Sequence, residues 1–271
     1  DADLAWATST GDPVKVAVID TGIDLAHPDL QANIKGGANF TTAKNYNDDN
    51  GHGTHVAGIV GALNNTVGVV GVAPAVDLYA VKVLDRTGSG YLSWVIAGLN
   101  WAAQNGMHVA NMSLGTSSYS ATFEQAVKNA SAAGLIMVAA AGNANGGAVG
   151  YPAKFAEVIA VSATTSSDTL ASFSSVGPEV DFAAPGASIY STYKGSTYKT
   201  LSGTSMASPH VAGTVALVLS TPVGTWDSNL NGKWDDAEVR SKLQATAWDL
   251  GAVGFDNLFG WGLISAFGAT Q

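Results

Sequence analysis

Hydrophobic residues are grouped along the chain in short β-branched or alanine-rich runs, and longer helical stretches lie between them. Two of these stretches, residues 92–106 and 121–134, have helical periodicity and end on glycine, which commonly follows a helix. The alternation predicts an α/β fold, a single domain over residues 1–271 with a doubly wound, mostly parallel sheet and helices on both faces. The runs that predict buried strands are VKVAVI (14–19), VDLYAVKVL (76–84), HVANMS (108–113), LIMVAAA (135–141) and VIAVSA (158–163).

The composition adds mainly exclusions. Hydrophobic residues make up 46% of the 271 positions and charged residues 12%, which is enough apolar surface for a large core. The net charge of −9, with only 12 Lys and Arg, argues against a nucleic-acid partner. The absence of cysteine excludes disulfides, thiolate nucleophiles and cysteine zinc sites. No apolar run approaches the roughly 20 residues of a membrane span, and no signal peptide opens the chain, which predicts a cytosolic protein or a processed mature form.

The segment NGHGTHVAGI (50–59) places His52 and His55 three residues apart at the start of a predicted helix. Residues at this spacing share a helix face whether they bind a metal, act in catalysis or pack in a core. A metal site would need a third ligand, and Gly53 and Thr54 stand where a metalloprotease helix would carry Glu. The spacing alone leaves all three interpretations open.

Two further side chains lie where an element is predicted to begin or end. Asp20 directly follows the strand VAVI, where a carboxylate can be held at the top of a parallel sheet or can simply form a turn. Ser205 lies in SGTSMASPHVAG at the start of a long apolar helix, where a serine can be an N-cap or a nucleophile beside free N–H groups. The order Asp20, His52, Ser205 is one of the known chain orders of a serine-protease triad.

Seven segments resemble, in order, the signature segments of the subtilisin-like serine proteases: VAVIDTGIDLAHPDL, NGHGTHVAGI, VGVVGVAP, NMSLG, AAAGN, SFSSVGPEVDFAAPG and GTSMASPHVAG. The resemblance implies a triad in which Ser205 attacks a peptide carbonyl, His52 is the general base and Asp20 orients it. It also implies that Asn143 and the Ser205 backbone N–H bind the oxyanion. In this interpretation His55 packs and orients, and binds no metal.

The resemblance further implies a peptide-binding groove. Residues 87–90 and 113–116 correspond to segments whose backbone pairs with an extended substrate. Ala144 and Gly150 correspond to the wall and floor of the primary specificity pocket, and their small size favours a large apolar or aromatic side chain before the cleaved bond. Thr116 stands where the family usually has Gly, and residues 143–151 form a shorter segment than in the longer members. The implied groove residues are Gly88, Ser89, Gly90, Ser113, Leu114, Gly115, Ala144 and Gly150.

The segment LNNTVGV (63–69) resembles the family's calcium loop, although a polar hairpin is the alternative. The implied oxygen ligands are the carbonyls of Leu63, Val67 and Val69, the amide of Asn65 and the carboxylate of Asp29. The ligand that the family draws from its N-terminal segment has no obvious equivalent, unless Asp1 or Asp3 supplies it. A further, weaker cation site is implied by resemblance alone around Ala153, Phe155, Val158 and Asp181.

One more motif lies outside the resemblance. Residues 227–238, DSNLNGKWDDAE, match the EF-hand pattern D-x-[DN]-x-[DN]-G-x₅-E at every fixed position. The alternative is a polar surface loop whose Asp and Asn residues form turns. Two amides in place of carboxylates predict weak affinity, about 10⁻⁵–10⁻³ M, which favours a secreted enzyme. The predicted ligands are Asp227, Asn229, Asn231, Lys233, Asp235 and Glu238, with Gly232 at the turn.

These observations predict a calcium-stabilised serine endopeptidase of broad specificity, with at least two calcium sites and with proteins and peptides as substrates. We also expect an N-terminal propeptide removed on maturation, secretion, and a monomer. A catalytically silent binding protein is the first alternative, and it is disfavoured because no triad or oxyanion residue is missing. A serine esterase is the second, and it is disfavoured because GTSMA differs from the G-x-S-x-G elbow of that class.

Overall fold

A seven-stranded sheet forms the centre of the protein in a computed structural model that describes all 271 residues. Its strands are β1 (Lys15–Asp20), β2 (Ile34–Asn39), β3 (Asp77–Lys82), β4 (Val109–Met112), β5 (Ile136–Ala140), β6 (Val158–Thr164) and β7 (Phe182–Pro185). Their order across the sheet is β2-β3-β1-β4-β5-β6-β7, and every neighbouring pair is parallel. The chain winds outward from β1 in both directions, which confirms the predicted doubly wound α/β class.

The five predicted strands correspond to β1, β3, β4, β5 and β6. Two strands of the sheet, β2 and β7, were not predicted, nor was the antiparallel hairpin of β8 (Ile189–Tyr193) and β9 (Thr197–Leu201). The sequence of β2 is IKGGAN, and its residues are only partly buried at the edge of the sheet. Such a segment has neither the apolar run nor the β-branched content on which strand prediction depends.

Seven α-helices surround the sheet. They are α1 (Ala2–Ala5), α2 (His52–Gly61), α3 (Leu92–Gln104), α4 (Ala121–Ala132), α5 (Thr204–Leu219), α6 (Asp236–Thr246) and α7 (Ala266–Ala269), with a 3₁₀ turn at Gly224–Trp226. The two helices predicted from periodicity are α3 and α4, and the helices predicted to begin near His52 and Ser205 are α2 and α5. No helix has both the length and the apolar character required to cross a membrane.

The core has two layers, one on each face of the sheet. Alternate residues of β1 divide between them: Val16 and Val18 face the layer that contains α2 and α5, and Ala17 and Ile19 face the layer that contains α3 and α4. This division follows from the two-residue period of a strand. Because both faces are covered, the inner strands are buried along their length, and polar groups accumulate where the strands end.

His55 connects α2 to the hairpin of β8 and β9. Its side chain is fully buried, and Nε2 donates to the carbonyl oxygens of Ile189 and Lys199 at 3.1 and 2.9 Å. Nδ1 has no hydrogen-bond partner. Burial lowers the pKa of His55 to about 4 because desolvation disfavours the charged ring.

We predict that His55 makes the protein less stable in mild acid. Its folded pKa lies below the ordinary value of 6.5, so the unfolded chain binds the proton more readily. The free energy of unfolding should therefore be at its full value above about pH 6.5 and fall toward pH 4. Chemical denaturation of His55→Gln, in a Ser205→Ala background to prevent self-digestion, should show a slope against pH reduced by up to about 1.4 kcal/mol per pH unit.

His210 provides the matched comparison, because burial lowers its pKa to about 4 as well. His210→Gln should remove a similar share of the slope. If the free energy of unfolding of His55→Gln depended on pH as steeply as that of the parent, the low pKa assigned to His55 would be contradicted.

Candidate active site

The end of β1 and the first turn of α2 bring Asp20 and His52 into contact. The two carboxylate oxygens of Asp20 lie 2.8 and 2.9 Å from His52 Nδ1. Asp20 is fully buried, and its Oδ1 also accepts a hydrogen bond from the Thr21 backbone N–H at 2.6 Å. Because a carboxylate only accepts, Nδ1 carries the proton, and Nε2 is left to act as a base.

Opposing effects act on the pKa of His52. Burial lowers it, whereas the charge and hydrogen bond of Asp20 raise it, as does the charge of Asp48. The balance leaves the pKa of His52 above its ordinary value. The two carboxylates therefore stabilise the imidazolium that forms when the ring accepts a proton.

Ser205 is the second residue of α5 and is half-buried. The helix N-cap is Gly203, so the N-cap interpretation of Ser205 is wrong. Its hydroxyl donates to the Ser113 carbonyl at 3.3 Å and makes no hydrogen bond to His52. Hydrogen bonds between nucleophile and base are often long or misaligned without substrate and tighten when it binds. The Ser205 backbone N–H lies in the first turn, where no intrahelical acceptor exists.

Asn143 is held with its amide nitrogen free. Its Oδ1 accepts hydrogen bonds from the backbone N–H of Thr204 at 2.9 Å and from the Thr204 hydroxyl at 3.1 Å. The Thr204 oxygen in turn accepts from Gly142 N–H at 3.1 Å. These contacts fix which end of the amide is which and leave the NH₂ group available as a donor beside Ser205.

Two adjoining cavities of about 830 and 500 Å³ form a groove along this site. His52 lines the larger cavity, and Ser205 and Asn143 line the smaller. The backbone groups of Leu114 and Gly115 make no hydrogen bonds, so this edge is free to pair with an extended peptide. Every predicted groove residue lines one or both cavities: Gly88, Ser89, Gly90, Ser113, Leu114, Gly115, Ala144 and Gly150.

The smaller cavity has a defined wall where the sequence departs from the family pattern. In this wall, the backbones of Thr116 and Tyr151 exchange hydrogen bonds of 2.9 and 2.8 Å. Gly150 lies beside this pair, and a side chain added there would come within 3.2 Å of the Thr116 carbonyl oxygen. Lys154 also lines the cavity, and its ammonium group pairs with Glu179 at 3.1 Å.

Several residues around the groove were missed from the sequence. Tyr119, Phe123 and Tyr151 line the larger cavity and come from a loop, α4 and an isolated bridge, so no local spacing relates them. Asp48 is buried beside His52 and precedes the NGHGTH motif. The pair of acidic residues at positions 48 and 49 is the one signal of it in the sequence.

Two residues of the first predicted calcium loop, Asn65 and Val69, contact Asp29 through their N–H groups. The buried carboxylate of Asp29 accepts from Asn65 Nδ2 at 3.0 Å and from Val69 N–H at 2.9 Å. Asn65 Oδ1 accepts from Val67 N–H at 2.7 Å, and Leu63 O accepts from Asn65 N–H at 3.0 Å. These hard oxygen donors fit calcium, although an ion must replace several of the present hydrogen bonds. The Asp1 side chain contacts Ser265 and Ala266, and Asp1 and Asp3 line one cavity together with Val69 of this loop.

Residues 227–235 form a compact loop before α6, and Glu238 lies in the first turn of that helix. Asp227 accepts from the backbone N–H groups of Asn231 and Gly232, both at 2.9 Å, and Gly232 has a left-handed backbone with φ of 75°. Glu238 is 2% exposed and accepts from Ser228 N–H at 2.7 Å. Asp235 and Glu238 form a capping box at the start of α6. The remaining predicted ligands, Asn229, Asn231 and Lys233, lie on the exposed side of the loop.

No group of three or more His, Cys, Asp or Glu side chains is arranged to hold a metal ion. The first predicted calcium site depends largely on carbonyl and amide oxygens, whereas the second also needs the carboxylates of Asp227, Asp235 and Glu238, which do not form such a group. At the weaker predicted cation site, Arg240 pairs with Asp181 at 3.2 Å, and Ala160 N–H donates to the same carboxylate at 2.8 Å. The guanidinium supplies the positive charge there, so the residues do not fit a further cation.

Comparison with known proteins agrees with this geometry. The sequence pattern of the Subtilase family matches residues 11–262. The chain is 52% identical to Subtilisin Savinase of Lederbergia lenta over 263 residues, which cover 97% of this chain and 92% of that protein. It is 52% identical to an alkaline protease of Shouchella clausii, covering 97% of this chain and 65% of that protein. It is 50% identical to Subtilisin NAT of Bacillus subtilis subsp. natto over 268 residues, covering 97% and 67%.

The family match spans most of the chain, and the relatives match it almost from end to end. The elements that place Asp20, His52, Ser205 and Asn143 all lie within the matched residues. The chain therefore belongs to the subtilase family and is a serine endopeptidase.

Proposed function

We propose that the protein is a calcium-stabilised, secreted endopeptidase of broad specificity that prefers a large apolar or aromatic residue before the cleaved bond. The observation that carries this proposal is the contact of Asp20 with His52 in a groove that Ser205 and Asn143 also line. The groove presents unpaired backbone at Leu114 and Gly115, which suits any extended chain.

In the proposed mechanism, Ser205 Oγ bonds to the carbonyl carbon of the substrate while His52 Nε2 takes the hydroxyl proton. Negative charge develops on the carbonyl oxygen, which accepts from the Asn143 amide and the Ser205 N–H. His52 then gives its proton to the leaving amine as the peptide bond breaks. Water repeats the sequence on the acyl-enzyme and releases the second product. Throughout, Asp20 holds the ring and offsets its positive charge.

We predict that Ser205→Ala abolishes proteolysis and leaves the fold intact. The lost hydroxyl makes one long hydrogen bond and caps no helix, so the free energy of unfolding should change by less than about 1 kcal/mol. Turnover should fall by about 10⁶, the loss measured for the same change in subtilisin itself. Casein cleavage, labelling by a fluorophosphonate probe and hydrolysis of a short-chain ester would be measured together.

Ser202→Ala is the matched control, because Ser202 is an exposed neighbour that accepts only from Ser188 N–H. It should keep full labelling and activity. Retention of casein cleavage by Ser205→Ala would contradict the triad. Ester hydrolysis without casein cleavage by the wild type would favour the esterase alternative.

The preferred side chain follows from the smaller cavity. Its volume of about 500 Å³ accommodates an aromatic ring, and Ala144 and Gly150 leave it open. Lys154 contributes no net charge because Glu179 neutralises it. Apolar side chains therefore gain burial in the cavity without leaving a charge unpaired.

We predict that Gly150→Val narrows this cavity and changes the preference. On matched peptide anilides, kcat/KM for Phe or Leu before the cleaved bond should fall at least about tenfold, because even one methylene more or less in an apolar pocket changes binding by about 1–3 kcal/mol. The matched anilide with Ala before the cleaved bond is the internal control, and its kcat/KM should change little. An equal loss on all substrates would indicate damage to the site rather than a narrower pocket.

Calcium binding is proposed at two loops, residues 63–69 with Asp29, and residues 227–238. The support is the contact of Asn65 and Val69 with the buried carboxylate of Asp29, and the EF-hand spacing of the second loop with its left-handed Gly232. A bound calcium ion would supply positive charge and would crosslink each loop through its oxygen ligands. Weak calcium sites are occupied where calcium is millimolar, which supports secretion. On the family resemblance we also propose an N-terminal propeptide that is removed on maturation, and a monomeric enzyme.

We predict that Asp227→Ala combined with Glu238→Ala removes one bound calcium ion per chain. With a Kd of about 10⁻⁵–10⁻³ M, about 10 mM calcium should stabilise the wild type by about 1.4–4 kcal/mol through this loop. Bound calcium would be counted after dialysis, and thermal unfolding compared in calcium and in chelator. Peptide hydrolysis at low temperature should stay near normal.

Glu238 also caps α6, so the double variant should lose some stability even in chelator. The informative quantity is the difference between the thermal stability in calcium and that in chelator. In the double variant this difference should shrink by the contribution of one calcium site. Asp29→Asn is the comparison for the other loop and should lower the same quantity independently. An unchanged calcium count in the double variant would contradict the second site.

A further inference from the structure

Asp48 lies in the loop before α2 and is 4% exposed. Five hydrogen bonds converge on its carboxylate. Oδ1 accepts from Thr21 Oγ1, Asn50 N–H and Gly51 N–H, each at 2.9 Å. Oδ2 accepts from the backbone N–H and hydroxyl of Thr54 at 3.0 and 2.6 Å. The carboxylate thus holds the residues on both sides of His52.

The same carboxylate is joined to the segment that carries Asp20. Thr21 follows Asp20 directly, and its hydroxyl donates to Asp48 while accepting from Gly53 N–H at 2.9 Å. The Thr21 side chain is therefore a crosslink between the end of β1 and the first turn of α2. From these contacts we infer that Asp48 is a positioning residue that sets His52 against Asp20 for proton transfer.

A neutral side chain could not replace this carboxylate. All five partners are donors, and an ionised carboxylate is the side chain that only accepts and has about four lone-pair sites to share. An asparagine at position 48 would place its NH₂ group, itself a donor, against the donors that now bind one of the two carboxylate oxygens. The buried charge is tolerated because every oxygen is satisfied.

Other charged groups border the same turn. Lys82 is fully buried, and its ammonium donates to Thr21 O at 2.6 Å, Leu84 O at 3.0 Å and Asp49 Oδ1 at 2.7 Å. Lys82 thus holds the end of β1 from the opposite side. Of the surrounding charges, Asp20 has the larger effect on the pKa of His52, and Asp48 raises it further.

The inference rests on the roles of Asp20, His52 and Ser205 in the proposed function. Those roles fail if Ser205→Ala keeps activity, whereas the variants below test Asp48 alone. A merely structural Asp48 would change stability and the yield of active enzyme. A positioning Asp48 also changes the rate per active site.

The test is Asp48→Asn, with active sites counted by fluorophosphonate titration and rates measured on a soluble peptide anilide. We expect kcat to fall about tenfold to a hundredfold with little change in KM, because small misplacements of a catalytic group cost rates of this order. Removing the negative charge should also lower the pKa of His52, so the acid limb of kcat/KM should move to lower pH.

Asp24→Asn is the matched control. Asp24 is 7% exposed and accepts from the backbone N–H groups of Ala26, Gly195 and Ser196, none of which adjoins His52. The Asp24→Asn variant should lose stability as Asp48→Asn does, while its kcat and the acid limb of its kcat/KM profile should stay unchanged. Unchanged kcat per active site and an unmoved acid limb in Asp48→Asn would overturn the inference.

Thr21 supplies a second test that does not depend on the folding of Asp48→Asn. Thr21→Val keeps the shape of the side chain and removes the crosslink, so kcat should fall while the acid limb stays in place because Asp48 keeps its charge. Thr21→Ser restores the hydroxyl and should restore most of the rate. A Thr21→Val enzyme with wild-type kcat would refute the positioning role.

Discussion

The first turn of α2 approaches the end of β1 so closely that only glycine fits at position 53. A Cβ on Gly53 would overlap the carbonyl oxygen of Gly22 and come within 3.1 Å of the Asp20 Cβ. This contact between two backbones sets the distance that Asp20 and His52 span with a single hydrogen-bonded pair. The same helix meets the β8–β9 hairpin at Gly58, where a Cβ would overlap the hydroxyls of Ser191 and Thr192. The position of the base is thus fixed by main-chain packing, and the side-chain network refines it.

How far the sequence predicts this structure depends on how local the signal is. The buried strands are predictable because apolar runs such as VKVAVI have no other plausible environment. The triad is predictable only because its three segments resemble the signature segments of a known family, since each residue taken alone leaves other interpretations open. The edge strand β2 was missed because IKGGAN is partly solvated and rich in glycine. The role of Ser205 in its helix was incompletely predicted, because Gly203 takes the N-cap position and the hydroxyl turns to Ser113.

Long-range polar contacts are the part that spacing cannot supply. Lys82 would be expected at a surface, yet it ends β3 in the interior because three oxygens from separate segments meet there. Asp48 is 27 residues from its Thr21 partner along the chain. Nothing in a periodic pattern identifies such pairs, since they form only after the sheet has brought the strand ends together. The polar cluster around the base is therefore a product of topology, and its members are recognised from coordinates.

The unpaired backbone at Leu114 and Gly115 has a consequence for which proteins the enzyme can cut. An edge that recognises main-chain groups demands several consecutive residues in extended form, and a natively folded target rarely offers them outside mobile loops. Cleavage of a folded protein should then follow the population of its locally opened states, whenever opening and closing are faster than cutting. In that regime the resistance of a target is a property of its own conformational free energy more than of its sequence, and the enzyme behaves as a sensor of unfolding.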